Sequence, residues 1–216
     1  MTLHLPKILI ALQLAALSLP NVHAASEGDK INRPHAEGWQ LDPAASSLTF
    51  NTTKSAAAGV GGLTETMRFT SLKGALSPNG RIEFSVDLAS VESGIDLRNE
   101  RLRTMLWNTV NYPAASFSAV LNGKDLKTVQ EGREAVTVSL EGQLTMAGTS
   151  RPLKVELQVT PLQSRRLVST RQPFIVNAED FGLKPGVEAL RQIMGLNYLS
   201  SSAPVSLQLD MVATAK

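Results

Sequence analysis

Three arginines at 98, 101 and 103 form the densest cluster of cationic side chains in the sequence. Guanidinium groups pair well with phosphate oxygens, so Arg98, Arg101 and Arg103 are candidates to hold the phosphate head of a ligand. The alternative is a solvated helix face, in which Asp96 and Glu100 balance these charges, and the mixed sequence favours that alternative.

Residue types suited to catalysis are scarce. The three histidines are His4, His23 and His35, so none lies in the body of the chain beyond position 35, and cysteine is absent. This distribution argues against Ser-His-Asp catalysis and against the usual zinc and non-haem iron sites, and we expect no metal and no cofactor. The adjacent carboxylates of residues 179–180 suit a turn or cap better than a catalytic pair. The adjacent arginines 165–166 are interpreted as a solvated turn.

The first 24 residues have the pattern of a secretory signal peptide. Lys7 precedes an apolar run of 12 residues, Ile8 to Leu19, and small residues lie before the predicted cleavage point after Ala24. The run is shorter than the roughly 20 residues that span a bilayer, so we expect no integral membrane span after signal removal. Cleavage leaves a polar leader at 25–37 and predicts that the protein is exported.

The remainder of the chain is nearly neutral. Of the 21 basic side chains only Lys7 lies in the predicted signal, which leaves 20 basic and 19 acidic groups. Such a balance of charges provides no long-range attraction for nucleic acid, so we do not expect nucleic acid as a partner.

The body of the chain shows alternation of apolar and polar residues with period two. This pattern indicates antiparallel strands with one buried face. Turn signals at 77–80, 122–123, 131–132 and 147–148 separate the runs. About eight such strands favour a closed barrel or a sandwich. Two segments depart from the alternation, with helical spacing at 95–111 and a helical or irregular pattern at 187–199. The clearest alternating runs lie at 81–88, 136–146, 153–160 and 205–212, with weaker ones at 48–50 and 117–121.

The inward phase of these strands predicts an apolar inner wall. Such a wall can surround a long apolar ligand, or its side chains can meet and fill a solid core. The alternation is the same in both cases, and on the residues alone a solid core is the simpler interpretation. The predicted wall consists of Phe50, Phe69, Phe84, Val86, Phe117, Leu144, Leu157 and Leu207.

An ordered series of short motifs resembles the YceI-like lipid/polyisoprenoid-binding family. The series begins with an aromatic residue followed by Leu-Asp-Pro, and continues through Gly-, Arg- and Tyr-Pro-containing elements to an Asp-Phe-Gly turn. The sequence departs from the family pattern at Ala45 and Arg101, where many members have histidine, at Asn99 and at Trp107. The matching segments are 39–50, 72–76, 86–94, 98–103, 112–117, 141–153 and 179–183.

The resemblance implies an all-β, lipocalin-like antiparallel barrel of about eight strands over 38–214, with one or two short helices. It also implies an apolar tunnel that holds a polyprenol, prenyl phosphate, quinone or other long-chain lipid, and a periplasmic location.

Three functional hypotheses follow from the sequence. The first is a periplasmic carrier or buffer for an isoprenoid-type lipid, without catalysis. The second is an interaction module with a filled barrel that binds a protein through its outer face or the 95–111 helix. The third, least supported, is a carboxylate-based enzyme. A homodimer is compatible with all three.

Overall fold

The computed structural model describes residues 38–214, and the predicted signal peptide and leader lie outside them. Within this range thirteen strands form one sheet, and every pairing between them is antiparallel. The strands are β1 (Gly38–Leu41), β2 (Ser47–Ser55), β3 (Leu63–Phe69), β4 (Leu72–Leu76), β5 (Arg81–Asp87), β6 (Val91–Glu92), β7 (Ala114–Val120), β8 (Val136–Met146), β9 (Thr149–Leu162), β10 (Arg165–Thr170), β11 (Phe174–Asn177), β12 (Tyr198–Leu199) and β13 (Ser202–Thr214).

Eight of these strands close into a ring, which confirms the predicted eight-stranded antiparallel barrel. Their order is β1-β4-β5-β7-β8-β9-β10-β13, and β13 pairs back with β1. The other end of β13 pairs with β2 and β11, and β2 pairs with β3. The long strand β13 therefore joins the closed ring to the strands that extend it.

The sequence-predicted turns have two different outcomes. Ala147 and Gly148 connect β8 to β9 with φ of 49° and 76°, the backbone of a two-residue type I′ hairpin. The predicted turns at residues 122–123 and 131–132 instead flank a helix, α2, that the sequence analysis missed. Both signals are helix boundaries, because Gly123 begins the helix and Gly132 follows its last residue.

Three α-helices lie in the described residues, where one or two were expected. The predicted helix in 95–111 is α1 (Asp96–Arg101), which continues as a π-helical turn over Leu102–Leu106. The second helix is α2 (Gly123–Glu131), and the third is α3 (Lys184–Ile193), which begins before the predicted segment 187–199. None of the helices described is long and apolar enough to cross a membrane.

One half of the barrel is filled with side chains. Arg166 lies at the end of this filled half. Its guanidinium is 4.4 Å from the ring centroid of Trp39, and only 4% of the residue is exposed. The interpretation of residues 165–166 as a solvated turn is therefore wrong. Both residues lie in β10, and contacts with Trp39 and Val129 bury Arg166. The residues packed in this half include Trp39, Leu41, Leu72, Leu76, Leu121, Val129, Val138, Val159 and Met211.

Candidate ligand-binding cavity

The other half of the barrel encloses a cavity of about 260 Å³. Inward-facing residues of the strands form its walls, while α3 and the π-helical turn cover it. This volume lies close to the roughly 300 Å³ lower end of small-molecule sites. The barrel thus combines the two arrangements left open by the sequence, a solid core in one half and an open lumen in the other. Polar groups are a minority of the lining: Thr52, Lys54, Glu65, Arg98, Ser116, Ser200 and Ser201.

All of the predicted wall residues line this cavity. Three of them are also buried among neighbouring side chains, whereas the other five keep partly accessible surface because they face the lumen. Their contact with a ligand remains a prediction. The buried three are Phe50, Phe69 and Val86, and the other five are Phe84, Phe117, Leu144, Leu157 and Leu207.

Aromatic rings pack along one wall of the cavity. The ring of Phe50 stacks on Phe69 with centroids 5.3 Å apart, and Trp107 meets both rings at 6.1 and 5.5 Å. Trp107 comes from the end of the π-helical turn, so this cluster joins the cover of the cavity to β2 and β3.

Glycines on neighbouring strands make room for two other phenyl rings. A Cβ on Gly74 would lie 3.2 Å from Cδ2 of Phe84, and a Cβ on Gly142 would lie 2.5 Å from Cζ of Phe117. The absent side chains allow both rings to lie over the backbone of β4 and β8, close to the wall. These glycines therefore help to keep the lumen open.

The inner face of the β2–β3 hairpin changes from apolar to polar toward its tip. Successive facing pairs are Leu48–Phe69, Phe50–Met67, Thr52–Glu65 and Lys54–Leu63. The first two pairs are buried, the third is half-buried, and Leu63 in the fourth is exposed. We call the end of the cavity bordered by Lys54, Glu65 and Arg98 the mouth.

Two cations share one carboxylate at the mouth. Nζ of Lys54 and Nη1 of Arg98 each lie 2.7 Å from Oε2 of Glu65. Burial acts to raise the pKa of Glu65, but the hydrogen bonds from Lys54 and Arg98 outweigh it, so the pKa lies below its usual value of 4.5. The three side chains together carry one excess positive charge, which suits an anionic or strongly polar head group.

The three predicted head-group arginines do not come together. Only Arg98 lines the cavity. Arg103 donates from Nε to the carbonyl of Ala89 at 2.7 Å, and so fixes the π-helical turn to the backbone before β6. Lys54 and Glu65 were missed because they lie more than thirty residues from Arg98, and no local motif joins them.

Comparison with known proteins identifies the family. Residues 39–213 match the model of the YceI-like domain. The chain belongs to the YceI-like family. A polyisoprenoid-binding domain from Saccharophagus degradans, implicated in plant cell wall breakdown, has 31% sequence identity and a TM-score of 0.74, covering 82% of this chain and 98% of that one. Burkholderia cenocepacia BcnA has 16% identity and a TM-score of 0.56, covering 81% and 99%. No curated protein matches the chain by sequence.

Asn99, one departure from the common YceI-like pattern, has a structural role beside the mouth. It is 2% exposed, and its Oδ1 accepts hydrogen bonds from the backbone N of Ser93 at 2.9 Å and from its hydroxyl. Its Nδ2 donates to Glu92 at 3.3 Å. These bonds order the turn that leads into α1, and so position Arg98 at the mouth.

The cover of this YceI-like barrel consists of two packed segments. Leu102 and Leu106 of the π-helical turn and Val187 and Leu190 of α3 face the cavity. The segments approach closely at Gly186, where a Cβ would lie 2.6 Å from the carbonyl oxygen of Met105. Passage of a ligand through this side would require the two segments to separate.

The carboxylates at 179–180 lie outside the cavity lining and serve a turn, as the sequence favoured. They fall in the 3₁₀ turn Ala178–Phe181. Glu179 pairs with Lys184 at 3.2 Å, and Asp180 accepts from Nδ2 of Asn177 at 3.3 Å. Among residues 38–214, no group of three or more side chains is placed to ligate a metal ion.

Proposed function

We propose that this protein is a periplasmic lipid-binding protein that holds an isoprenoid-type chain, such as a polyprenol, prenyl phosphate or quinone. The chain occupies the apolar lumen, and its polar end lies at the mouth beside Lys54 and Arg98. The observation that carries this proposal is the polarity of the cavity, which is closed by a solid core at one end and becomes polar toward the other.

Apolar burial supplies the driving force for such binding. Transfer of apolar surface from water yields roughly 25 cal/mol per Å², so a tail that buries about 400 Å² gains about 10 kcal/mol before the costs of association. The solved relative from Saccharophagus degradans, described as polyisoprenoid-binding, supports the same ligand class.

The role proposed is that of a carrier or buffer without catalysis. The ionisable groups that line the cavity are Lys54, Glu65 and Arg98, and they are paired with one another. Such an arrangement suits recognition of a head group, since the single carboxylate is held by two cations.

Native mass spectrometry of gently purified protein tests this function. We expect a co-purifying mass that extraction identifies as a long-chain lipid, and uptake of added polyprenol or ubiquinone by the delipidated protein. The matched variant Leu144→Arg places a charge in the lumen and should abolish uptake, whereas Val120→Arg on the outer surface should not. Repeated absence of both co-purifying lipid and uptake contradicts the proposal, and a stoichiometric protein partner instead would favour an interaction module.

The proposed location has its own test. Cell fractionation should recover the protein with periplasmic markers, and intact-mass analysis should show an N-terminus at Ala25. Recovery in the cytoplasm with residues 1–24 intact would contradict the location without bearing on lipid binding.

A further inference from the structure

The tip of the β2–β3 hairpin is an exposed loop without charged or hydrogen-bonding side chains. Residues 56–62 consist of alanine, glycine and valine alone. Val60 and the adjoining Leu63 are 60% and 58% exposed. Glycine is itself a common turn residue, but surface turns often also carry Asn, Asp or Ser, whose side chains satisfy the backbone and contact water, and residues 56–62 include none of these three. This composition therefore requires an explanation beyond turn formation.

The structure holds this tip in a defined conformation. Oγ of the buried Ser55 lies 2.9 Å from the carbonyl oxygen of Ala57 and 3.0 Å from that of Val60. The backbone N of Val60 also donates to Ala57. Ser55 thus anchors the tip from its base, and Val60 projects from an ordered turn.

Further exposed apolar residues border the same end of the barrel. Tyr198 faces Ser55 across the β2–β12 pairing, and Ile193 ends α3, which packs on β12. Both are about half exposed. We call Val60, Leu63, Ile193 and Tyr198 the rim. Leu63 also pairs with Lys54, so the rim adjoins the mouth.

We propose that the rim docks the barrel on the surface of a lipid bilayer, with the mouth facing the membrane. This inference rests on the proposed function, because a long-chain lipid resides in a bilayer before it is bound and after it is released. Continuity between rim and mouth would let such a chain enter the lumen without crossing water. Isolated surface apolar side chains are ordinary, but here they gather beside the polar end of an apolar cavity.

Charge at the mouth favours the same partner. Lys54 and Arg98 exceed Glu65 by one positive charge, and a basic group beside apolar side chains favours a membrane that contains anionic lipids. The polar backbone of residues 56–62 restricts the docking to the interfacial zone, since unpaired peptide groups are unfavourable in hydrocarbon.

Flotation with vesicles of phosphatidylcholine and phosphatidylglycerol tests the docking. The double variant Val60→Asp/Tyr198→Asp should lower the fraction bound at least about tenfold, because both apolar side chains leave the interface and charges replace them, and neither residue lines the cavity. The matched control Val120→Asp changes an equally exposed valine at the end of β7, away from the rim, and should float like wild type. All variants are compared with the same verified N-terminus.

Two further measurements separate docking from ligand binding. Transfer of a fluorescent polyprenol analogue from vesicles to the double variant should be slowed about tenfold or more, while its equilibrium affinity for the same analogue in vesicle-free solution stays at the wild-type value. Wild-type flotation or transfer by the double variant, or an equal loss in Val120→Asp, would overturn the docking proposal. Vesicle binding by a protein that takes up no lipid from any source would instead overturn the proposed function.

Discussion

The guanidinium of Arg166 lies 4.4 Å from the ring centroid of Trp39 at the filled end of the barrel. The same group donates to the carbonyl oxygens of Val129 and Gln130, both at 2.8 Å, at the end of α2. One side chain on β10 therefore joins β1 to the helix that closes this end. Because neither Arg166 nor Trp39 lines the cavity, the contact concerns stability rather than ligand binding.

Removal of this side chain should destabilise the fold. We expect Arg166→Ala to lower the free energy of unfolding by about 3 kcal/mol, because it removes a buried cation–π contact and leaves two helix carbonyls without their donor. Urea denaturation measures the loss. The exposed Arg133→Ala is the control and should stay within about 0.5 kcal/mol of wild type. Lipid affinity should be unchanged in both variants, and an unchanged urea midpoint for Arg166→Ala would contradict the role assigned here.

The filled and open halves should respond differently to the same truncation. Leu72→Ala should cost about 3 kcal/mol, because it creates a void in packed surroundings. Leu144→Ala should cost about 1 kcal/mol, because its side chain already borders empty space and loses fewer contacts. Lipid affinity should change in the second variant alone. Equal stability losses would contradict the division of the barrel into two halves.

The strands could be predicted from local patterning, but the contacts between residues far apart in the sequence could not. Alternation identifies 136–146 and 205–212 because every second residue there is apolar and faces inward. The pattern is weak in β10, where two arginines precede Leu167, and one of those arginines is buried through pairing with the distant Trp39. Such compensation between remote residues has no local sequence signal.

The inner wall was predictable for the same reason, whereas the mouth was not. Every predicted wall residue lines the cavity because strand periodicity alone determines the face on which a side chain lies. The mouth depends on strand register, which places Glu65 beside Thr52 and brings α1 across them. Whether the apolar side chains meet or leave a lumen depends on Gly74 and Gly142, whose effect appears only in three dimensions.

Adding a methyl group at Gly74 should narrow the lumen. The new Cβ would lie 3.2 Å from Phe84 and 3.3 Å from Leu41, so the Phe84 ring must move away from the wall. We expect Gly74→Ala to weaken polyprenol binding several-fold with a stability loss of about 1 kcal/mol. The double variant Gly74→Ala/Phe84→Leu should recover affinity, because the smaller side chain restores the space. Failure of this rescue would show that Gly74 acts through the backbone of β4 instead.

The ion pairs at Glu65 should make stability depend on pH. Because the folded-state pKa of Glu65 lies below 4.5, these pairs contribute stability at pH values above 4.5, and the contribution is lost as the pH falls toward the folded-state value. The difference in free energy of unfolding between wild type and Glu65→Gln should therefore be about 1 kcal/mol at pH 7 and shrink below pH 4.5. In a Lys54→Met/Arg98→Met background, the stability difference caused by Glu65→Gln should not shrink below pH 4.5. A difference that is constant from pH 7 to pH 3 would contradict the pairing.

The contact between the two covering segments should help to retain a lipid, since a displaced cover loosens the packing around the lumen behind the mouth. A Cβ on Gly186 would lie 2.6 Å from the carbonyl oxygen of Met105 and 3.0 Å from Cα of Leu106, both backbone atoms of the π-helical turn. Gly186→Ala should therefore push α3 from this turn, lower the free energy of unfolding by about 1–2 kcal/mol and speed the release of a fluorescent polyprenol several-fold in stopped-flow experiments. Helix propensity acts in the opposite direction, since alanine is favoured over glycine in helices by about 1 kcal/mol. A Gly186→Ala protein that is more stable than wild type, with unchanged release, would show that propensity dominates and that this close approach does not hold the cover in place.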